Sequence, residues 1–386
     1  MEPRAGVGPV SQVLLLLAVD GTSTRSALAR HLGLSAATLT RAVRPLLETG
    51  LVIEEAPTLA GPGRPIRALR LAPRAAALLG VKLTADHLYA ELIDPTGSVL
   101  MDTSEPLVGR DVDGVVAQIA ALTARVAHSS DTPLSGMGLS LGASVVGERE
   151  IRVAPFLGWT RVPIAGLMAE ATGLPVRVAN DVRAFTYAEA WFGLGRGADP
   201  FALLTLGTGI GCGLAIGGRV IAGSHGAAGS VGHLPLSDSG PSCEIGHIGC
   251  ARALASAPGI AAQASEVLGH RVRAEDVVGP QGLTDLARDP RLDHILALAA
   301  AAAGRIAGGI AALVDPELIV VSGEGVGVVD AHREAFDAAV ERARHWSAPV
   351  PRILTRAFTF GEWARGAAAL AVEPWACSVE SRLKSS

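Results

Sequence analysis

The sequence predicts an α/β protein in which a small helical module precedes a two-lobed body. Three observations carry that expectation. From residue 76 onward, strand-like aliphatic runs alternate with helical periodicity. Two strand-rich starts, near 77 and near 201, suggest two related lobes. Residues 1–75 read instead as three short helices followed by a hairpin. A chain of 386 residues, 49% of them hydrophobic, is long enough for two or three domains and a sizeable core, and too apolar for a disordered one.

In the N-terminal module the first helix is expected over Val10 to Val19. Thr24 precedes a second short amphipathic helix, Arg25 to Leu32, with Leu28 and Leu32 on one face. Gly33 supplies a turn, and Ser35 is a good cap for a third helix from Ala36 to about Glu48. Leu28, Leu32, Leu34, Leu39 and Val43 would close this helix pair. That order fits a helix-turn-helix, although a plain helical hairpin shares it. The third helix would present Ser35, Ala37, Thr38, Thr40, Arg41 and Arg44, whose hydroxyl and guanidinium groups suit base edges and phosphates. Pro45 should kink or end the helix. Leu51 to Glu55 and Ala68 to Leu71 read as strands around Gly61-Pro62-Gly63-Arg64-Pro65. This is a wing whose Arg64 suits a DNA minor groove. A winged helix that binds protein is the alternative.

In the body, strands are expected at Ala77 to Leu83, His87 to Ile93, Val99 to Met101, Gly136 to Leu141, Val176 to Val178, Phe201 to Leu206, Gly211 to Ile216 and Leu318 to Ser322. Helices are expected at Val112 to His128 and Ala297 to Leu313. No uninterrupted apolar run reaches a membrane span; Val13 to Val19 is too short, and Asp20 argues against a signal peptide. Four scattered cysteines make no disulfide framework, so a cytoplasmic location is expected. Charge is uneven: residues 1–75 carry nine arginines against five acids, the remainder 24 basic against 32 acidic residues. A basic module on an acidic body suggests an anionic partner, or an ordinary solvated surface.

The densest motif is Gly226 to Arg252, GAAGSVGHLPLSDSGPSCEIGHIGCAR. His233, Cys243, His247 and Cys250 could gather around one tetrahedral zinc. A glycine-rich loop with free thiols is the plainer alternative. This stretch resembles the ROK family of bacterial sugar kinases and sugar-responsive repressors, whose pattern is E-x-G-H followed after nine residues by C-x-C-G-x-x-G-C-x-E. The spacing fits throughout, but Ser230 replaces the first Glu, Ile245 the middle Cys and Arg252 the last Glu. The resemblance implies a zinc on His233, Cys243 and Cys250 with a fourth ligand, His247 or, second, Glu244. It also implies a winged helix-turn-helix at 1–75, and a ribonuclease-H-like, actin-like body with lobes at 76–190 and 191–386. The C-terminal helix is expected to return to the first lobe.

Further site residues follow only from the resemblance. Asn180 and Asp181 match the family's sugar-binding Asn and its general base, although an Asn-Asp pair is also a common helix cap. Ser230, His233 and Arg252 complete the effector contacts, with the pocket expected between the lobes. Two lost carboxylates and a gained guanidinium favour an acidic or phosphorylated sugar. Phe156 stands where the family has a sugar-contacting Asn. In the first phosphate loop Lys82 takes the place of an Asp and the glycines are missing, whereas Gly207-Thr208-Gly209 keeps the second loop. The reading that joins these features is a DNA-binding transcriptional regulator, without enzyme activity and with repression as its mode. It would act on carbohydrate genes, answer to a sugar-like effector, and work as a homodimer or homotetramer on double-stranded operator DNA, with no membrane partner. A sugar kinase, or a regulator that has lost its effector, are the alternatives.

Overall fold

In the computed structural model, which describes residues 7–56, 67–278, 282–357 and 359–385, the chain divides into two compact units. Unit 1 holds residues 1–196, 217–219 and 360–386; unit 2 holds 197–216 and 220–359.

Unit 1 opens with α1 (Pro9–Asp20), β1 (Thr22–Thr24), α2 (Arg25–His31), α3 (Ala36–Glu48), β2 (Val52–Glu54) and β3 (Ala68–Leu71). Thr24 caps α2 through the amide of Ala27, and Ser35 caps α3 through that of Thr38, satisfying otherwise orphaned donors. Leu28, Leu39, Val43 and Leu46 close the helix pair. The helix α3 runs through Pro45 to Glu48, so of the two expected outcomes, a kink or an end at Pro45, the end does not occur. The helix ends at Thr49 instead, whose Oγ1 donates to the Pro45 carbonyl at 2.8 Å. The strands β2 and β3 pair antiparallel, Val52 opposite Leu71, and β1 adds a third strand that the sequence reading did not contain. The expected wing tip with Arg64 lies outside the described residues.

The body of unit 1 follows as β4 (Ala77–Leu83), β5 (His87–Ile93), β6 (Val99–Pro106), α4 (Val112–Ser129), β7 (Leu134–Leu141), β8 (Ser144–Val146), β9 (Glu150–Ala154), β10 (Trp159–Val162), α5 (Ile164–Thr172), β11 (Val176–Asn180) and α6 (Asp181–Phe192). Its main sheet has the order β11-β7-β4-β5-β6. The strands β4, β5 and β6 form an antiparallel meander, while β7 and then β11 add in parallel. Unit 2 builds the same topology, β14-β13-β12-β15-β16, from β12 (Phe201–Leu206), β13 (Ile210–Ile216), β14 (Arg219–Val220), β15 (Leu318–Ser322) and β16 (Arg352–Thr355). Its helices are α7 (Ala251–Ala255), α8 (Ala257–Leu268), α9 (Ala274–Val278), α10 (Gly282–Leu286), α11 (Asp293–Val314), α12 (Gly327–Ala331) and α13 (Arg333–Ala343). The helix α11 is long and apolar enough to cross a membrane, but 61% of its most apolar stretch is buried inside the protein. The sequence reading missed that length because it began the helix at Ala297, a turn late.

The chain then returns to unit 1 as α14 (Phe360–Ala369) and α15 (Val372–Ser385). Contact between α14 and the sheet is backbone-close. A side chain at Gly80 would collide with the Ala364 carbonyl, and one at Gly138 with that of Ala367. The helix α15 packs on α1. One apolar cluster runs from Leu14–Leu17 and Leu28 through Trp191 to Trp375, Ala376 and Val379, so the N-terminal module and the body share a core. The helix α1 has no capping side chain and no acid in its first turn. The cap comes from α15, where the buried Glu380 accepts hydrogen bonds from Ser11 N (3.0 Å) and Ser11 Oγ (2.6 Å). A carboxylate there also faces the positive end of the helix dipole. Burial pushes the Glu380 carboxyl up, but Lys384 and Ser11 outweigh it and hold it below its ordinary value.

Candidate functional site

On α3, Ser35, Ala37, Thr40, Arg41 and Arg44 are exposed and Thr38 is half-buried. The opposite face, Leu39, Ala42, Val43 and Leu46, is buried, so the expected polar row stands outward. Arg44 Nε lies 2.7 Å from Glu48, an exposed pair of small net value that a phosphate can displace.

In unit 1, Asn180 and Asp181 stand where β11 passes into α6. Asn180 is the helix cap: its Oδ1 accepts from Val182 N (3.0 Å) and its Nδ2 donates to the Ala143 carbonyl (3.2 Å). Asp181 Oδ1 accepts from the same amide, while Oδ2 receives Lys82 Nζ at 2.6 Å. Lys82, on β4, is only 5% exposed, and its ammonium lies 4.6 Å from the Trp363 ring centroid on α14. A buried ammonium needs both partners, since an isolated one costs far more. Both polar ends of Asn180 and both oxygens of Asp181 therefore have partners within the chain. The side chains of Asp181 and Phe156 both border Gly142, coming within 3.5 and 3.7 Å of a methyl group placed there.

In unit 2, the ligand atoms of His233, Cys243, His247 and Cys250 all lie within 4.8 Å of one another. His233 Nδ1 is 3.7 Å from Cys243 Sγ and 3.9 Å from Cys250 Sγ, and the rings of His233 and His247 meet edge-on. Ligands about 2.0–2.3 Å from a tetrahedral zinc fall within that compass. Local folding explains the gathering. Cys243 N donates to the His247 carbonyl, closing a turn through Gly246, which has φ 86°. Cys250 begins α7, its Sγ accepting from Ala253 N. Burial pushes the Cys243 thiol up, but the amides of Ile245 and His247 outweigh it and hold it below its ordinary value. Burial and the neighbouring Cys243 raise Cys250. Ile245, in the place of the family's middle cysteine, is 61% exposed and outside the cluster.

Glu244 is no candidate ligand: its carboxylate forms an ion pair with Arg252 Nε. Arg252 Nη1 also donates to the Thr208 carbonyl (3.0 Å). The expected preference for an acidic effector assumed a free guanidinium at 252; Glu244 already neutralises it. Ser230 is exposed at the start of a single 3₁₀ turn that carries His233. Lys82's grip on Asp181, the tertiary cap at Glu380 and the Glu244–Arg252 pair escaped the sequence reading, because each joins residues far apart or places a charge by packing.

The chain matches the ROK family over residues 78–373, and a winged helix-turn-helix DNA-binding domain over residues 11–53. It is 36% identical over 185 residues to a glucokinase of Thermotoga maritima, covering 47% of this chain and 58% of that one. It is 26% identical over 238 residues to a xylose repressor of Caldicellulosiruptor bescii, covering 60% of each. The chain thus spans somewhat under two thirds of the length of these relatives. A crystal structure described as a ROK family transcriptional regulator, homologue of the Escherichia coli MLC protein, superposes with a TM-score of 0.81. The superposition covers 98% of this chain and 100% of that one at 21% identity, a likeness of fold. With its motifs, its paired sheets and a family match over most of its length, the chain belongs to the ROK family.

Proposed function

We propose that this chain is a DNA-binding transcriptional regulator, a repressor of carbohydrate-related genes, whose body takes a sugar or sugar-derivative effector and does not phosphorylate it. The observation that carries the proposal is the outward polar row of α3, capped by Ser35 and backed by a core shared with the body. Ser35, Ala37, Thr38, Thr40, Arg41 and Arg44 are the proposed groove contacts, with Arg64 on the wing. The chain acts as a homodimer or homotetramer, in the cytoplasm. Gel retardation with DNA from the neighbouring promoter region tests this. Arg41→Ala and Arg44→Ala should each weaken binding by about 1–3 kcal/mol if the arginine reads a base. Unchanged binding by both and by Arg64→Ala would sink the docking scheme.

Likeness to glucokinases favours phosphoryl transfer as the second reading. Lys82 argues against it. A general base must be free to take a hydroxyl proton, and Asp181 is held by an ammonium at 2.6 Å. Effector contacts are proposed at Asn180 and Asp181 in unit 1, and at Ser230, His233 and Arg252 in unit 2. The Asn180 and Asp181 partners described above must yield to a ligand, so binding a neutral sugar exchanges one set of hydrogen bonds for another. A coupled assay of ATP consumption over a sugar panel should show no turnover; turnover abolished by Asp181→Asn would establish the kinase.

A structural zinc is proposed on His233, Cys243, His247 and Cys250. Bound there, it would supply folding free energy to the loop. Elemental analysis should give about one zinc per chain, with His247→Ala losing metal and Glu244→Ala keeping it.

A further inference from the structure

A cleft of about 310 Å³ opens within unit 1 where the edge strand β11, the helix α6 and the α14–α15 junction meet. Arg177 borders it from β11, Tyr187 and Trp191 from α6, and Leu370, Glu373 and Pro374 from the junction. Glu148 borders it from the turn between β8 and β9. That turn is fixed in place: Glu148 holds a φ of 57°, and its carbonyl accepts from Val178 N at 2.9 Å. Trp191 and Leu370 are almost wholly buried, and the Tyr187 and Trp191 rings meet edge-on at 5.4 Å, so part of the wall is aromatic and dry.

Beside this wall two guanidinium groups share the carboxylate of Glu148. Arg177 Nη1 lies 3.6 Å from it and Arg183 Nη2 4.0 Å, both beyond hydrogen-bond reach. Arg183 stands one turn before Tyr187 on α6 and is only 8% exposed. Its Nε has no hydrogen-bond partner among the described residues, and its Nη2 makes a long contact of 3.5 Å with the Val178 carbonyl. Buried cations normally have their donors met and their charge balanced, whereas here one carboxylate serves two of them. Glu373 has a contact of its own within the chain. Its charge in the lining weighs against a ligand with more than one anionic group.

We propose that this cleft binds a small organic monocarboxylate with an aromatic or aliphatic body. The ligand's carboxylate pairs with Arg177, as the planar fork of a guanidinium favours, and frees Glu148 to close on Arg183. Two cations then face two anions. The apolar body lies against Trp191, Leu370 and Pro374. Asn180, Asp181 and the surface of α3 take no part. Trp191 belongs to the core that α1 shares with Trp375, so an occupant bears on the seat of the N-terminal helix.

Calorimetric titration of the full chain with phenylacetate tests the proposal. One saturable site is expected. Neutral phenylacetamide and the dicarboxylate phenylmalonate should each bind at least about tenfold more weakly. Arg177→Gln should lose at least about tenfold in affinity for phenylacetate and erase its advantage over phenylacetamide. Arg177→Lys serves if the glutamine variant folds poorly, as judged by near-ultraviolet circular dichroism; it should bind more weakly than the parent but keep the preference for the acid. A parent without saturable binding of phenylacetate overturns the proposal. So does a folded Arg177→Gln that binds the acid like the parent, which would put the acid elsewhere on the chain. None of these measurements involves DNA, so their failure would leave the regulator reading standing.

Discussion

Lys82 fills the neighbourhood of Asp181 from within the chain. Its ammonium is buried, bonded to Asp181 at 2.6 Å and backed by Trp363. Removing one partner of a buried pair strands the other, which costs about 3–5 kcal/mol. Lys82→Ala should therefore lower the denaturation midpoint substantially, and Lys82→Ala with Asp181→Asn should recover part of the loss; chemical denaturation of the three variants checks both. Glu91 is a second informative residue. Burial pushes its carboxyl up to about 7, with Asp102 and Glu362 raising it and Arg365 opposing them. The folded protein then holds a proton that the unfolded chain releases near 4.5. Stability from this group is complete below about 4.5 and declines as pH rises toward 7 and through it. Glu91→Gln should flatten that slope in denaturation curves taken across the window.

Elements were legible in the sequence where local chemistry decides them. Ser35 and Thr24 mark helix starts because a hydroxyl before an apolar period satisfies orphan amides, and both caps form. The strands Ala77–Leu83, His87–Ile93, Phe201–Leu206 and Leu318–Ser322 stand where their apolar runs lie, and the metal-type cluster stands on the spacing of His233, Cys243 and Cys250. What the sequence hid depends on distant partners. The helix α3 continues through Pro45 although its ring offers no amide to the Arg41 carbonyl, because the buried face of Leu39, Ala42, Val43 and Leu46 holds the helix in place. The strand β1 exists because β3 has an open edge to pair, and nothing in Thr22-Ser23-Thr24 announces it. The start of α1 lacks its own cap because Glu380 supplies one from α15. Glu380→Ala should destabilise the protein by about 1–3 kcal/mol, the range for a buried donor left unsatisfied. Hydrogen exchange should quicken first at Ser11 and its neighbours. Unchanged exchange at those amides would mean that solvent caps the helix equally well.

For the whole molecule, the Cys/His loop and the winged helix-turn-helix belong to different units. Chelation of the proposed zinc should thus loosen residues 233–250 without melting α3, seen as local rather than global proteolysis. The shared core around α1 has the opposite effect on residues 1–75. Leu14, Leu15, Leu16 and Leu17 are all essentially buried, so α1 has no dry-to-wet gradient to set against water on its own. Cut free from Trp191, Trp375 and Val379, the N-terminal module would carry a bare leucine stripe and an uncapped helix start. It is therefore not a portable cassette. Grafting residues 1–75 onto another body should give an aggregating chimera unless α15 travels with it, and any fusion built from this chain needs its last helix as much as its first.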